Sequence, residues 1–237
     1  MPSPFLTYAA LVPLALHLAT GAHAQALPDD RAMIAGFESV VFGAEIAGET
    51  SDTTYVKKFV GPVRFAIDNL SLIDRRPEVE AFLAELDTAV DGLEIEIVEI
   101  EDPNFVIHVV DRLDYQTVGQ EIYGDPTMPV PGNCIVRASY SPAGIRRSDA
   151  IIVSDEGRAL FTRCLVEEVL QGLGPLNDNA DAPDSVFNDT STLTEFGPYD
   201  RTILSMLYDP RLRPGMRIDE AAPLLPAILA DIRRADD

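Results

Sequence analysis

Apolar residues recur along this chain with two periods, and the switches between them lay out its elements. Met33, Phe37, Val40 and Val41 fall on one side of a helix over about 30–45, with Asp29 or Asp30 as its N-cap. Gly43 and Gly48 loosen the next segment. Tyr55 to Asp68 is rich in β-formers, and Val63-Arg64-Phe65-Ala66-Ile67 alternates after Pro62 as a strand does. Pro77 suits the first turn of a helix reaching about Val90, with Val79, Phe82, Leu83, Leu86 and Val90 as its stripe. Leu93 to Ile100 alternates strictly and predicts a strand with one acidic, wet face. Asn104 to Val110 is a second, more continuously apolar strand. The stretch Tyr115–Gly132 has turn residues and no clear period, and reads as a loop insertion with room for a short edge strand. Cys134–Tyr140 and Ala150–Ser154 are two further strands. Asp155-Glu156-Gly157 turns into a helix over about 157–173. The chain is then irregular from Asp178 to Thr194. A helix near Tyr199–Tyr208, a turn from Asp209 to Met216 and an end helix over about 218–234 complete it.

Strand, helix, four strands and a helix in that order predict an α+β fold: a twisted mixed sheet, a backing helix and a later helix, then a mostly helical C-terminal part. The ends and the charge narrow the setting. Phe5 to Leu18 is almost wholly apolar, and Ala22-His23-Ala24 offers a signal-peptidase site, so residues 1–24 are expected to be a cleaved signal peptide. An uncleaved interfacial anchor is the alternative. Residues 25–237 then suit a single domain, exported to the periplasm or secreted, with no membrane span after cleavage. Eighteen basic against 39 acidic residues leave a net charge of −21. That excess repels nucleic acid and anionic lipid, and excludes both as partners. An oxidising compartment would pair Cys134 with Cys164, stapling the later helix to a strand; two buried thiols are the other reading.

That helix carries the chemistry. Leu160, Phe161, Cys164, Leu165, Val169, Leu170 and Leu173 make it apolar around most of its circumference, yet Glu167, Glu168 and Gln171 cluster upon it. Glu167 and Gln171 are one turn apart, and Glu168 lies about 100° away, over Cys164. Gly174 suits a left-handed helix end, and Pro175 prevents continuation, so the chain can swing Asn177 and Asp178 back towards Gln171. Two readings stay open: a buried polar network that pins helix to turn, or a pocket with Glu168 as general base. Asn177, Asn179 and Asp181 share the spacing of a calcium loop, but Ala182 and Asn188 stand where that loop wants Gly and Glu.

The segment from Glu167 to Asp178 resembles the metzincin zinc-protease pattern H-E-x-x-H-x-x-G-x-x-H with every histidine replaced. Glu167, Gln171 and Asn177 stand at the three ligand positions, while Glu168 and Gly174 match the base and the turn. Asp184-Ser185-Val186-Phe187 resembles the Met-turn with Phe187 in place of methionine, and Leu193 to Tyr208 resembles the closing helix. Carboxylate and carboxamides are hard donors, poor for zinc, and the only histidine past the leader is His108 in an apolar strand, expected to be a satisfied core residue. No zinc or other cofactor is therefore expected, an oxygen-ligated divalent cation being the one alternative.

More of the chain resembles the bacterial domain-of-unknown-function family 2927. Phe42-Gly43-Ala44-Glu45, Lys57-Lys58-Phe59, Pro103-Asn104, Cys164 to Gln171, Asn177-Asp178 and Leu207 to Met216 carry that likeness. It implies a degenerate, zincin-like scaffold, with an upper part over about 50–174 and a lower one over about 175–237. Gly172, Pro175 and Phe196-Gly197-Pro198 depart from the family pattern and are expected to loosen local packing. The resemblance implies a non-catalytic binding or structural role in the cell envelope, with an extended peptide or envelope protein as partner. An unorthodox hydrolase or peptidase using Glu168 is the competing reading.

Overall fold

The strand expected after Pro62 is β1 (Val63–Asn69), which lies between β2 (Ile95–Ile97) and β3 (Phe105–Val110) and runs parallel to both. β3 is in turn parallel to β5 (Gly144–Val153), and β4 (Cys134–Ser141) is an antiparallel edge strand, giving the order β2-β1-β3-β5-β4. The computed structural model of the chain describes residues 27–43, 52–99, 102–188 and 190–236. The expected signal peptide, Glu45, Gly48 and Ile100 lie outside the described residues.

β1, β3 and β5 bury side chains on both faces, which is why they read as near-continuous apolar runs. Phe65, Ile67, Phe105, Ile107, Val109, Ala150 and Ile152 point into the main core on the underside. That core also takes α1 (Asp30–Val41), α2 (Arg76–Ala89), α4 (Arg158–Gly172), α5 (Pro198–Tyr208) and α7 (Leu225–Asp236). Asp29 caps α1 by accepting the Ala32 N–H at 2.8 Å, and Met33, Phe37, Val40 and Val41 are buried as their spacing requires. The fold is thus mixed α/β, and the C-terminal part is helical as expected. Cys134 and Cys164 form a disulfide, with 5.7 Å between Cα atoms, that ties β4 to α4.

Three expectations need correction. The supposed loop insertion contains a helix, α3 (Arg112–Tyr123), on the upper face of the sheet. Its period is Tyr115, Val118, Gly119 and Ile122. The signal is muted because a glycine fills one buried position: a Cβ at Gly119 would stand 2.6 Å from Val130. Tyr115 and Val130 join Val110, Ile135, Ile151 and Val153 in a second, smaller core. Next, β5 begins at Gly144 rather than Ala150, pairing with β4 through the polar run Arg147-Ser148-Asp149, with a register shift at Arg146. Lastly, the end helix is divided into α6 (Ile218–Ala221) and α7, because Pro223 has no N–H for a helical ladder. β2 is also shorter than its alternation: it is an edge, and Ile97 is half exposed.

Candidate functional site

α4 is buried almost continuously from Cys164 to Gly172, so its three polar residues are shielded with it. Glu167, Glu168 and Gln171 retain only 8, 5 and 6% of their exposure. Arg163, one turn earlier, pairs with Glu167 at 3.3 Å. The carboxylates of Glu167 and Glu168 and the sulfur of Cys134 lie within 4.8 Å of one another, so the glutamates stand beside the disulfide. On the upper side Tyr115 borders this cluster: burial, then the negative charge of Glu168, push its phenol above the ordinary range.

The turn after α4 does only part of what the spacing predicts. Asp178 returns to the helix, where its Oδ1 accepts the Gln171 amide at 2.8 Å. Asn177 does not. Its carboxamide donates to Ser39 O at 3.1 Å and to Asp178 O at 3.2 Å, and its own N–H donates to Val40 O at 3.3 Å. Asn177 is therefore committed to holding the end of α1. Asn179 likewise turns inward on its own loop, accepting from Asp181 N, so the calcium-loop residues do not converge.

Gly174 is required by shape. Its φ is 142°, and a Cβ there would meet Lys57 O at 2.2 Å. The segment it touches explains the double lysine, whose role the sequence pattern did not disclose. Lys57 is fully buried and donates to Val41 O, Thr53 O and Tyr55 O at 2.8, 2.7 and 3.1 Å. Lys58 donates to Leu207 O at 2.9 Å and Asp209 O at 3.1 Å, closing the C-terminal end of α5. Burial pushes both ammonium groups down to about 8. The cue in sequence was two adjacent lysines inside an otherwise apolar stretch.

The departure at Gly172 does not loosen packing. A Cβ at Gly172 would come within 2.5 Å of the Phe105 ring, and Ser148 Oγ donates to Gly172 O at 2.7 Å, so the glycine lets α4 press onto the sheet. Pro198 opens α5, and the Phe196 ring packs edge-on against Phe82.

Phe187 is wholly buried in the main core. Its turn hangs on Asp200, which is fully buried and accepts Ser185 Oγ at 2.7 Å and Val186 N at 3.3 Å. Burial pushes the Asp200 carboxyl up to about 7, against the pull of those two donors. His108 is satisfied, but not in the core. It lies on the upper face between Asp68 and Asp149, with Nδ1 at 3.1 Å from one and Nε2 at 3.3 Å from the other. Arg147 grips Asp149 at 2.6 Å. A surface cavity of about 910 Å³ lies at the Phe196-Gly197-Pro198 departure, bordered also by Leu27, Arg201 and Ile232, and none of Glu167, Glu168, Gln171, Asn177 and Asp178 line it.

β4 supplies the remaining chemistry of the region. Val153 N donates to Asn133 O, which marks the hydrogen-bonded set as residues 133, 135 and 137. Cys134, Val136 and Ala138 then turn their backbone N–H and C=O groups away from β5. Of these, Val136 O accepts the Tyr123 hydroxyl at 3.3 Å. The end of α3 thus touches the edge at its middle.

A family model described as "Protein of unknown function (DUF2927)" matches residues 30–227, from α1 into α7. Among curated proteins, none matches the chain at a significant level.

Proposed function

The chain belongs to this family of unknown function, and from that premise we propose an exported, single-domain, zincin-like protein whose protease-like site is non-catalytic. Its work is to hold an extended peptide along β4. The observation that carries this reading is the edge strand itself, with outward backbone groups at Cys134, Val136 and Ala138 beside a helix that a disulfide fixes to it. Adding a strand to such an edge gives affinity through main-chain hydrogen bonds, with side-chain pockets setting preference.

The would-be ligands support the non-catalytic half. Asn177 is spent on α1, Gln171 on Asp178, and His108 sits on the far face between two aspartates. Carboxamides are poor zinc donors and His108 stands apart from them across the sheet, so no cofactor enters the proposal. The order of sheet, α2, α4, sharp glycine turn and helical remainder accords with a zincin-like fold divided near residues 174 and 175. Among the described residues, no helix is long and apolar enough to cross a membrane. The disulfide accords with an oxidising envelope compartment.

Two measurements test the proposal. Peptides selected from a random library should protect the Val136 and Ala138 amides from hydrogen exchange, and Tyr123→Phe, which frees the Val136 carbonyl, should tighten their binding several-fold. Protection confined to other strands would sink the peptide reading. Peptide-bond cleavage by the oxidised wild type that Glu168→Gln abolishes, or stoichiometric zinc in that form, would sink the non-catalytic one.

A further inference from the structure

We propose that reduction of the Cys134–Cys164 disulfide converts the end of β4 and the adjoining face of α4 into a binding site for zinc or a similar thiophilic divalent cation. Cys164, Glu167 and Glu168 stand at i, i+3 and i+4 on α4, so all three side chains share one face of the helix. Cys134 enters from β4, and its sulfur already lies within 4.8 Å of both carboxylates. Two sulfurs and two carboxylate oxygens from two elements would supply the four donors that a tetrahedral site takes. Ligand distances of about 2.0–2.3 Å place such donors roughly 3.5 Å apart, so the carboxylates need close by only about 1 Å, while the two sulfurs, bonded to each other in the oxidised protein, must part to that distance.

In the oxidised protein the sulfurs are bonded to each other and carry no charge, which makes them poor ligands. A dithiol reductant would transfer two electrons and two protons to the bridge, leaving two thiols and its own disulfide. The cation then displaces both thiol protons to solvent and takes the thiolates as soft ligands beside the hard carboxylates. Glu167 brings Arg163 with it at 3.3 Å, and that guanidinium must yield or remain on the outer carboxylate oxygen. Reduction therefore exchanges a covalent staple between strand and helix for a metal clamp between the same two elements. This site is separate from the peptide reading, since it needs no occupant on the β4 edge.

The test is a titration of the full chain with cobalt(II) and zinc(II), before and after treatment with a phosphine reductant, with circular dichroism following the fold. One equivalent of cobalt giving a thiolate charge-transfer band is expected in the reduced protein, with none in the oxidised one. Glu168→Gln and Glu167→Gln, reduced but still folded, should each weaken binding by at least about 10-fold, since even outer-shell partners act on that scale. Absence of the thiolate band from the reduced, folded protein would overturn the proposal. So would unchanged affinity in both glutamine variants, or loss of the fold on reduction.

Discussion

The two faces of the sheet carry similar polar residues and use them differently. Beneath it, Gln171 holds Asp178, Asn177 holds α1, and Asp200 holds the Ser185–Phe187 turn. Each of these bonds ties one chain segment to another, and those at Asp200 lie in a place closed to water. Above the sheet, Asp68, His108, Asp149 and Arg147 pair with one another across neighbouring strands. Those strands are already joined by their ladders, so the upper network adds little connection that the backbone lacks. Position relative to other elements, rather than residue type, decides whether a carboxylate anchors the fold or decorates it.

The difference can be broken most sharply at Gly174. Gly174→Ala forces a side chain into Lys57 O at a φ that L-residues avoid, and should cost more than about 4 kcal/mol, measured by urea denaturation. Removing the disulfide with Cys134→Ala and Cys164→Ala opens a loop with a sequence separation of 30 and should cost about 3–4 kcal/mol in the same assay.

Asp200 sharpens the comparison through pH. Its folded pKa of about 7 lies above the ordinary carboxyl value, so the folded protein keeps this proton longer than the unfolded chain does. Its contribution to stability is complete below about pH 4 and falls as pH rises towards 7, by an amount on the order of 4 kcal/mol. In Asp200→Asn that slope disappears, so the variant should gain on the wild type between pH 4 and 8. A constant gap between the two denaturation curves would refute the buried, raised carboxyl.

The upper face predicts the opposite sign and the smallest effect. Burial alone would raise Asp149, but His108 and Arg147 outweigh it and hold the carboxyl below its usual value. Its stabilisation is present above about pH 4 and is lost as pH falls through that lowered range. His108→Ala should cost less than about 1 kcal/mol at pH 7, because Asp149 keeps Arg147 and Asp68 remains partly solvated.

Much of this was legible in the order of residues. The stripes of α1, α2 and α4 and the apolar runs of β1 and β3 are local patterns, and local patterns specify local elements. So is the spacing that set Glu167, Glu168 and Gln171 on one buried helix. α3 escaped because Gly119 occupies a position where a side chain would have completed the stripe. The start of β5 escaped because Arg147, Ser148 and Asp149 read as loop until β4 pairs with them. At the candidate site, the return of Asp178 was implied by Gly174 and Pro175, but the turning of Asn177 towards Ser39 was not.

By itself the sequence determined most of the elements, the acidic charge, the polar cluster on α4 and the absence of a three-histidine set. Only the tertiary structure decided what those groups touch: Lys57 under Gly174, Asp200 under the Phe187 turn, Tyr123 on the middle of β4, and two glutamates against the disulfide. The physical reason is range. Helix and strand periods are set by neighbours a few positions apart, whereas the partner of a buried polar group is whichever distant segment packing brings within about 3 Å.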